Sequence, residues 1–262
     1  MPTAVLTERA LPANMLPILV ASVAVMLASL AGVLFVWGRA GAYVERNLDF
    51  LVSFSAGVFL VFAYQLSNEA LEHAGPLWYG LLWIFGGALG IWLAFKLLPR
   101  LHQHEEHGSH SRLDARRLLL TDAVHNTADG IFLAASFAVG GAVGLAAAIS
   151  IFVHEFLQEV SEFFVLRDAG YSIQKALSLN FVVSSSVLVG AIGGYFLLET
   201  FTRLEGPLLG IAAGGILVVV LHDLVPHSVR ESLRTAHYVA HLLWFAAGLG
   251  LMLVVLMALG HE

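Results

Sequence analysis

Two short stretches of this 262-residue chain carry most of its chemistry. One reads Thr121-Asp122-Ala123-Val124-His125-Asn126-Thr127-Ala128-Asp129-Gly130, the other His154-Glu155-Phe156-Leu157-Gln158-Glu159-Val160-Ser161-Glu162. At about 100° per residue, a helix places Asp122, His125, Asn126 and Asp129 within an arc of roughly 100°. The same construction gathers His154, Glu155, Gln158, Glu159 and Glu162 within roughly 140°. Imidazole nitrogens beside carboxylate and amide oxygens are the donor mixture that suits divalent first-row metals, and i, i+4 spacing lets one helix give two ligands to one ion. Three close carboxylates without a cation repel one another, and at least one takes up a proton. A buried network that only pins helix to helix would account for a lone His or Asp; this many ionisable groups converging at one depth favours a cation site.

The elements that must position these groups are membrane spans. The chain is 58% hydrophobic and 12% charged, with a mean hydropathy of +0.82; ordinary soluble domains are roughly 45–50% apolar and about 25% charged. There is no cysteine, which removes disulfides, thiolate catalysis and Cys-based zinc or iron–sulfur sites, so nitrogen and oxygen must hold any metal. A net charge of -6 with only 13 Lys and Arg lacks the basic footprint that nucleic acid requires. The expected partners are the lipid bilayer and metal ions, with no organic cofactor and no nucleic acid; a homodimer is compatible with the reading.

A spanning helix needs roughly 20 mostly apolar residues, and cutting the chain at its charged clusters yields eight such segments. They run from Met15 to Trp37, Leu48 to Leu66, Leu77 to Leu98, Leu118 to Val139, Val143 to Leu166, Ala176 to Leu198, Leu208 to Val225 and Ala240 to Leu259. The expected fold is therefore all-α and polytopic, a single transmembrane domain over 1–262 with a His-rich loop at 99–117. The first segment lacks a basic leader and a credible small-residue cleavage site, so it reads as a helix rather than a signal. Segments four and five are joined by Gly140-Gly141 and must be antiparallel neighbours. His125 and His154 both lie about 20 to 23 Å from that turn at 1.5 Å per residue, so they can meet.

Cytoplasmic connections carry an excess of Lys and Arg. Eleven of the 13 fall on the side that includes the loop at 99–117; Arg9 and Arg203 fall on the other. This puts both termini outside the cytoplasm. The expected location is a plasma membrane, read as a bacterial inner membrane. Ala56-Gly57-Val58-Phe59-Leu60-Val61 in segment two and Ala213-Gly214-Gly215-Ile216-Leu217-Val218 in segment seven look alike. Two readings stay open: an inverted repeat of the transporter kind, or two apolar helices that share small residues by chance.

The paired stretches resemble the ZIP family of divalent metal transporters, whose fourth helix carries His-Asn-x-x-[Glu/Asp]-Gly and whose fifth carries His-Glu-x-x-[His/Gln]-Glu. Here they stand as His125-Asn126-Thr127-Ala128-Asp129-Gly130 and His154-Glu155-Phe156-Leu157-Gln158-Glu159. Ser53-Phe54-Ser55-Ala56-Gly57-Val58-Phe59-Leu60 adds to the likeness, which covers essentially the whole chain. The resemblance implies eight helices in a 3+2+3 arrangement and import of zinc, iron, manganese or cadmium into the cytosol, zinc foremost. It also implies a binuclear centre: one ion on His125, Asp129, His154 and Gln158, the other on Asn126 and Glu155 with Asp129 or Gln158 shared. Glu159 and Glu162 become supporting or pathway groups, and Asp122 a further candidate. Leu157 stands where the family usually has proline, Ser161-Glu162 where it has Gly-Asp, and Gln65 and Asn68 where it often has His and Pro.

Other histidines and carboxylates offer secondary candidates. His102, His104, His107 and His110 crowd the predicted cytoplasmic loop; such tracts bind metal weakly by composition alone. His222-Asp223 and His227 near the cytoplasmic end of segment seven, and Glu69 near the outer end of segment two, are candidate waypoints or interfacial polar residues. His154-Glu155-x-x-Gln158 also approaches the zincin His-Glu-x-x-His pattern, without its second His. An intramembrane metalloprotease and a non-transporting metal sensor are therefore the competing functions. A retinal pump is excluded, since Lys96 and Lys175 both sit at membrane edges.

Overall fold

The computed structural model describes residues 15–30, 39–73, 75–97 and 112–259, and among them there is no strand. The helices are α1 (Met15–Leu27), α2 (Arg39–His73), α3 (Leu77–Leu97), α4 (Arg112–Val139), α5 (Gly141–Asp168), α6 (Ile173–Ser184), α7 (Ser186–Thr200), α8 (Glu205–Val218), α9 (Val225–Thr235) and α10 (Tyr238–Leu259). The protein is all-helical and polytopic. Five helical stretches among the described residues are long and apolar enough to cross a membrane: Arg46–His73, Gly141–Arg167, Ile173–Thr200, Glu205–Thr235 and Tyr238–Ala258. Met15–Leu30 and Leu77–Leu93 are shorter apolar helices. Expected span four is in neither set, because Asp122, His125, Asn126 and Asp129 lower the mean hydropathy of α4. It begins at Arg112, inside the stretch read from sequence as loop. The end of expected span one, Trp37, and the histidines 102, 104, 107 and 110 lie outside the described residues.

Two expected spans are interrupted. Segment six divides into α6 and α7 at Ser185, within Ser184-Ser185-Ser186. Serine hydroxyls compete for backbone groups, and Ser186 Oγ reaches across to Ala123 O on α4 at 2.9 Å. Segment seven continues beyond Val225 to Thr235 through a π-helical turn, Val219–Leu224. Pro226 has no N–H to give the carbonyl of His222. The Val225 amide donates to Val220 O, five residues back, so the ladder widens just before the proline.

Packing sorts the helices into two groups. α4 lies most extensively on α7, and both contact α1, with α5 and α6 completing the first group. In the second, α3 lies on α8 and α2 on α10 and α8. α2 and α10 touch α5, and α8 touches α4, across the seam. Small residues permit the closest crossings. A Cβ on Gly130 would run into Val187 O, and one on Gly190 into Thr127 O, which locks α4 to α7. Gly57 meets the α10 backbone at Phe245, and Gly214 the α3 backbone at Ile84. Helix contact thus accounts for the small residues shared by the two look-alike segments.

The exterior is apolar and the interior holds the charge. Leu82, Phe85, Leu242, Val254 and Met257 on α3 and α10 are exposed, whereas Asp122, Asn126, Glu155, Glu159 and Glu162 are buried. A bilayer imposes this inversion, since lipid offers nothing to an ionised group while a neighbouring helix can.

Candidate metal centre

α4 and α5 are separated by one residue, Gly140, and pack along their length, so they present their polar faces to each other. The ring centroids of His125 and His154 are 5.6 Å apart, as the equal spacing from the turn requires. His125, His154 and Glu155 each offer a ligand atom within 4.8 Å of the others. His125 Nε2 lies 3.4 Å from Glu155 Oε1 and 3.8 Å from Asp129 Oδ2. Phe59 of α2 closes the far side of His154, with ring centroids 4.8 Å apart, so the site sits on the seam between the two helix groups. The His125 side chain is 34% exposed, against 1% for Glu155, but its Nε2, the atom that faces Glu155, is buried.

A second group forms about one helical turn away. Asp122, Glu159 and Glu162 also bring one oxygen each within 4.8 Å of one another. Gln158 Nε2 donates to Asp122 Oδ1 at 2.6 Å and to Glu162 Oε1 at 3.3 Å. Asn126 Nδ2 donates to Asp122 Oδ1 at 2.8 Å. Thus Gln158 and Asn126, placed among the ligands of two ions by family likeness, direct their amide donors at the acidic group. His154 and Glu155 remain with His125.

α6 supplies two residues that no motif in α4 or α5 indicates. Ser184 Oγ donates to Glu159 Oε1, and Asn180 Nδ2 to Glu159 O at 3.1 Å. Asn180 and Ser184 stand at i, i+4 on α6 and both are buried, among further serines that give the pair no distinct sequence signal. The remaining candidates lie elsewhere. Glu69 pairs with His73 at 3.8 Å on α2, and His227 Nε2 lies 3.3 Å from Asp49 Oδ1. His222 and Asp223 occupy the π-helical turn.

Several buried atoms of both groups have no hydrogen-bond partner: His125 Nε2, Glu155 Oε1 and Oε2, Asp122 Oδ2, Asn126 Oδ1, Glu159 Oε2 and Glu162 Oε2. The 3.4 Å approach of His125 to Glu155 is an ion-pair distance without hydrogen-bond geometry. Unsatisfied buried polar groups cost free energy, and a bound cation would satisfy donor atoms of this kind together.

Fold and clustering define a polytopic helical membrane protein with a candidate nitrogen–oxygen cation cage between antiparallel helices. The profile of the family described as ZIP zinc transporter matches residues 65–256, and the chain belongs to that family. It is 30% identical to the metal cation symporter ZIP14 of Bos taurus over 151 residues, 55% of this chain and 30% of that protein. It is 38% identical to zinc transporter ZIP4 of Mus musculus over 111 residues, 42% and 16% of the two chains. Zinc transporter ZIP5 of Homo sapiens is 34% identical over 162 residues, 61% and 30%. The matched stretches therefore span less than a third of these relatives' own length.

Proposed function

We propose that this protein carries divalent transition-metal cations, zinc foremost and iron, manganese or cadmium as further substrates, across a plasma membrane into the cytosol. The observation that carries this reading is the convergence of His125, His154 and Glu155 within 4.8 Å on the seam of the two helix groups of a ZIP-family chain. Two imidazoles and a carboxylate form a borderline donor set suited to zinc, with Asp129 3.8 Å from His125. The ion is the substrate, and the chain performs no covalent chemistry on it. The reading includes eight spans in a 3+2+3 arrangement, with the two shorter apolar helices and the charge-bearing α4 completing the set. The excess of Lys and Arg on one side supports termini outside the cytoplasm.

A site on the seam between two packed groups is placed to be exposed to either side as one group shifts against the other. The test is uptake of zinc, iron(II), manganese and cadmium into proteoliposomes holding the purified protein. Saturable zinc uptake, lost in Glu155→Ala and His154→Ala, is expected. Tight binding without flux would overturn transport in favour of a sensor, and undiminished flux in both variants would overturn the site.

A further inference from the structure

We propose that α9 is an interfacial helix that lays Val229 and Leu233 among lipid acyl chains and binds the headgroup of an anionic phospholipid through Arg230, with Arg234 beside it. The membrane-spanning fold underlies this reading, independently of metal transport. In a helix, Val229, Leu233, Arg230 and Arg234 share an arc of roughly 140°, apolar at one edge and basic at the other. The opposite arc holds His227, Ser228, Glu231 and Ser232. The structure turns the apolar edge outward: Val229 is 51% and Leu233 61% exposed, while Ser232 is buried. Ser228 and Ser232 donate their hydroxyls to the carbonyls of Leu224 and Val229. A helix in water would bury the valine and leucine and leave the serines out; this one faces an apolar medium.

Its position is that of a bilayer face. His227 at its start reaches Asp49 Oδ1 at 3.3 Å, and His237, two residues past its end, packs on Phe50 with ring centroids 6.2 Å apart. Both ends of α9 thus meet one turn of α2, as a helix lying across α2 does and one continuing along it does not. Ala236, left-handed at φ 58°, then turns the chain into α10. The 22 residues of α10 rise about 33 Å, enough for a hydrocarbon core of about 30 Å. Tyr238 and the adjoining end of α9 therefore stand at the edge of that core, and Tyr238 is exposed, as interfacial aromatic residues are.

The basic edge selects the occupant. Among the described residues Arg230 has no ion pair, and it is exposed. Arg234, one turn on, is 65% exposed and directs Nε and Nη2 at Glu231 Oε2. Arg46, a turn before Asp49 on α2, is exposed as well. The outward arc of α9 holds no Asp or Glu. Long arginine stems cross apolar surface to place the charge in the headgroup layer, and a guanidinium matches phosphate geometry. By the excess of Lys and Arg the leaflet is the cytoplasmic one, where anionic lipids attract basic segments. α9 packs on α2, α10 and the π-helical turn, so a headgroup held there anchors the group built on α2, α8 and α10.

The test uses the full chain, whose lack of cysteine allows a single bimane label at Leu233→Cys. The protein is placed in phosphatidylcholine vesicles containing phosphatidylglycerol or phosphatidylcholine with brominated acyl chains, and quenching is followed against mole fraction. Both lipids should quench, phosphatidylglycerol at the lower mole fraction. Arg230→Gln should reduce that preference roughly fivefold, the equivalent of about 1 kcal/mol per charge. Its quenching by phosphatidylcholine should stay undiminished, which shows the helix still folded and seated. Arg230→Lys, which keeps the charge, should retain the preference, as should Arg203→Gln on the other side of the membrane. No quenching by either lipid would place α9 in water. Equal quenching by the two, or a preference unchanged in Arg230→Gln, would remove the headgroup site. Quenching that falls as the protein-to-lipid ratio rises would put a second copy on the face. Each of these results would overturn the proposal, whereas absence of zinc flux would overturn transport alone.

Discussion

Replacing Gly130 by alanine should weaken both the fold and metal handling, because the added methyl has nowhere to go. Its Cβ would stand 2.5 Å from Ala191 N and 2.9 Å from the carbonyl carbon of Gly190, besides meeting Val187 O. Restoring the Ala191 contact alone from 2.5 Å to an ordinary 3.4 Å requires α4 and α7 to part by at least about 0.9 Å at that crossing, and Val187 O, closer still, requires more. All three contacts are backbone atoms of a helix, so no flexible side chain can absorb the strain. Overpacking of this kind costs about 1–3 kcal/mol. Gly130 follows Asp129 directly and lies five residues beyond His125, so displacement of α4 shifts one half of the His125, His154 and Glu155 group against the other. Losses of about 10–100-fold in metal affinity accompany disturbed ligand positioning. Gly193→Ala on α7 is the control, since a Cβ there meets nothing within 4 Å. Thermal unfolding in detergent and zinc titration of both variants check the reasoning. Gly130→Ala with unaltered unfolding temperature and zinc affinity would refute it, as would equal damage from Gly193→Ala.

Ser184→Ala removes the hydroxyl donor to buried Glu159 and should cost about 1–3 kcal/mol, read as a lower unfolding temperature. Pro226→Ala restores a donor for His222 O and should draw the π-helical turn toward α-helix, rotating residue 222 relative to α9. Thiol labelling of His222→Cys, with and without Pro226→Ala, should then proceed at different rates, and equal rates would refute the account of the turn. Asp49→Asn loosens a contact to His227 whose carboxylate is 43% exposed; the expected loss is at most about 1 kcal/mol, as measured by denaturation at low and high salt. His104→Ala should leave zinc uptake in proteoliposomes near the unaltered rate, because the proposed transport site lies between α4 and α5 and not in the loop.

Much of the candidate centre was legible in sequence because helical periodicity is local. The spacing of His125, Asn126 and Asp129 puts them on one face whatever surrounds α4, and the short connection through Gly140 brings that face to α5. The equal distances of His125 and His154 from the connection predicted their meeting, and the rings lie 5.6 Å apart. The eight apolar segments were less fully legible. Five helical stretches among the described residues are long and apolar enough to cross; the described helices of segments one and three are shorter, and the polar residues that face the interior dilute the apolar character of α4. Likewise, nothing local to segment six indicated that Ser184 and Asn180 would approach Glu159.

Composition and pattern by themselves determined an all-helical membrane protein, the absence of thiolate ligands, and two polar faces rich in nitrogen and oxygen donors. Those properties depend on residue types and on the 3.6-residue period, which no tertiary contact alters. Only the tertiary structure decided how the faces divide. Which donors share a group depends on the rotation and separation of α4 and α5 and on the rotamers that packing allows, and these directed Gln158 to Asp122 and Glu162 and left His154 with His125 and Glu155. The same long-range packing set Phe59 beside His154. It placed the centre on the seam between two helix groups because the glycine crossings fix which helices lie closest.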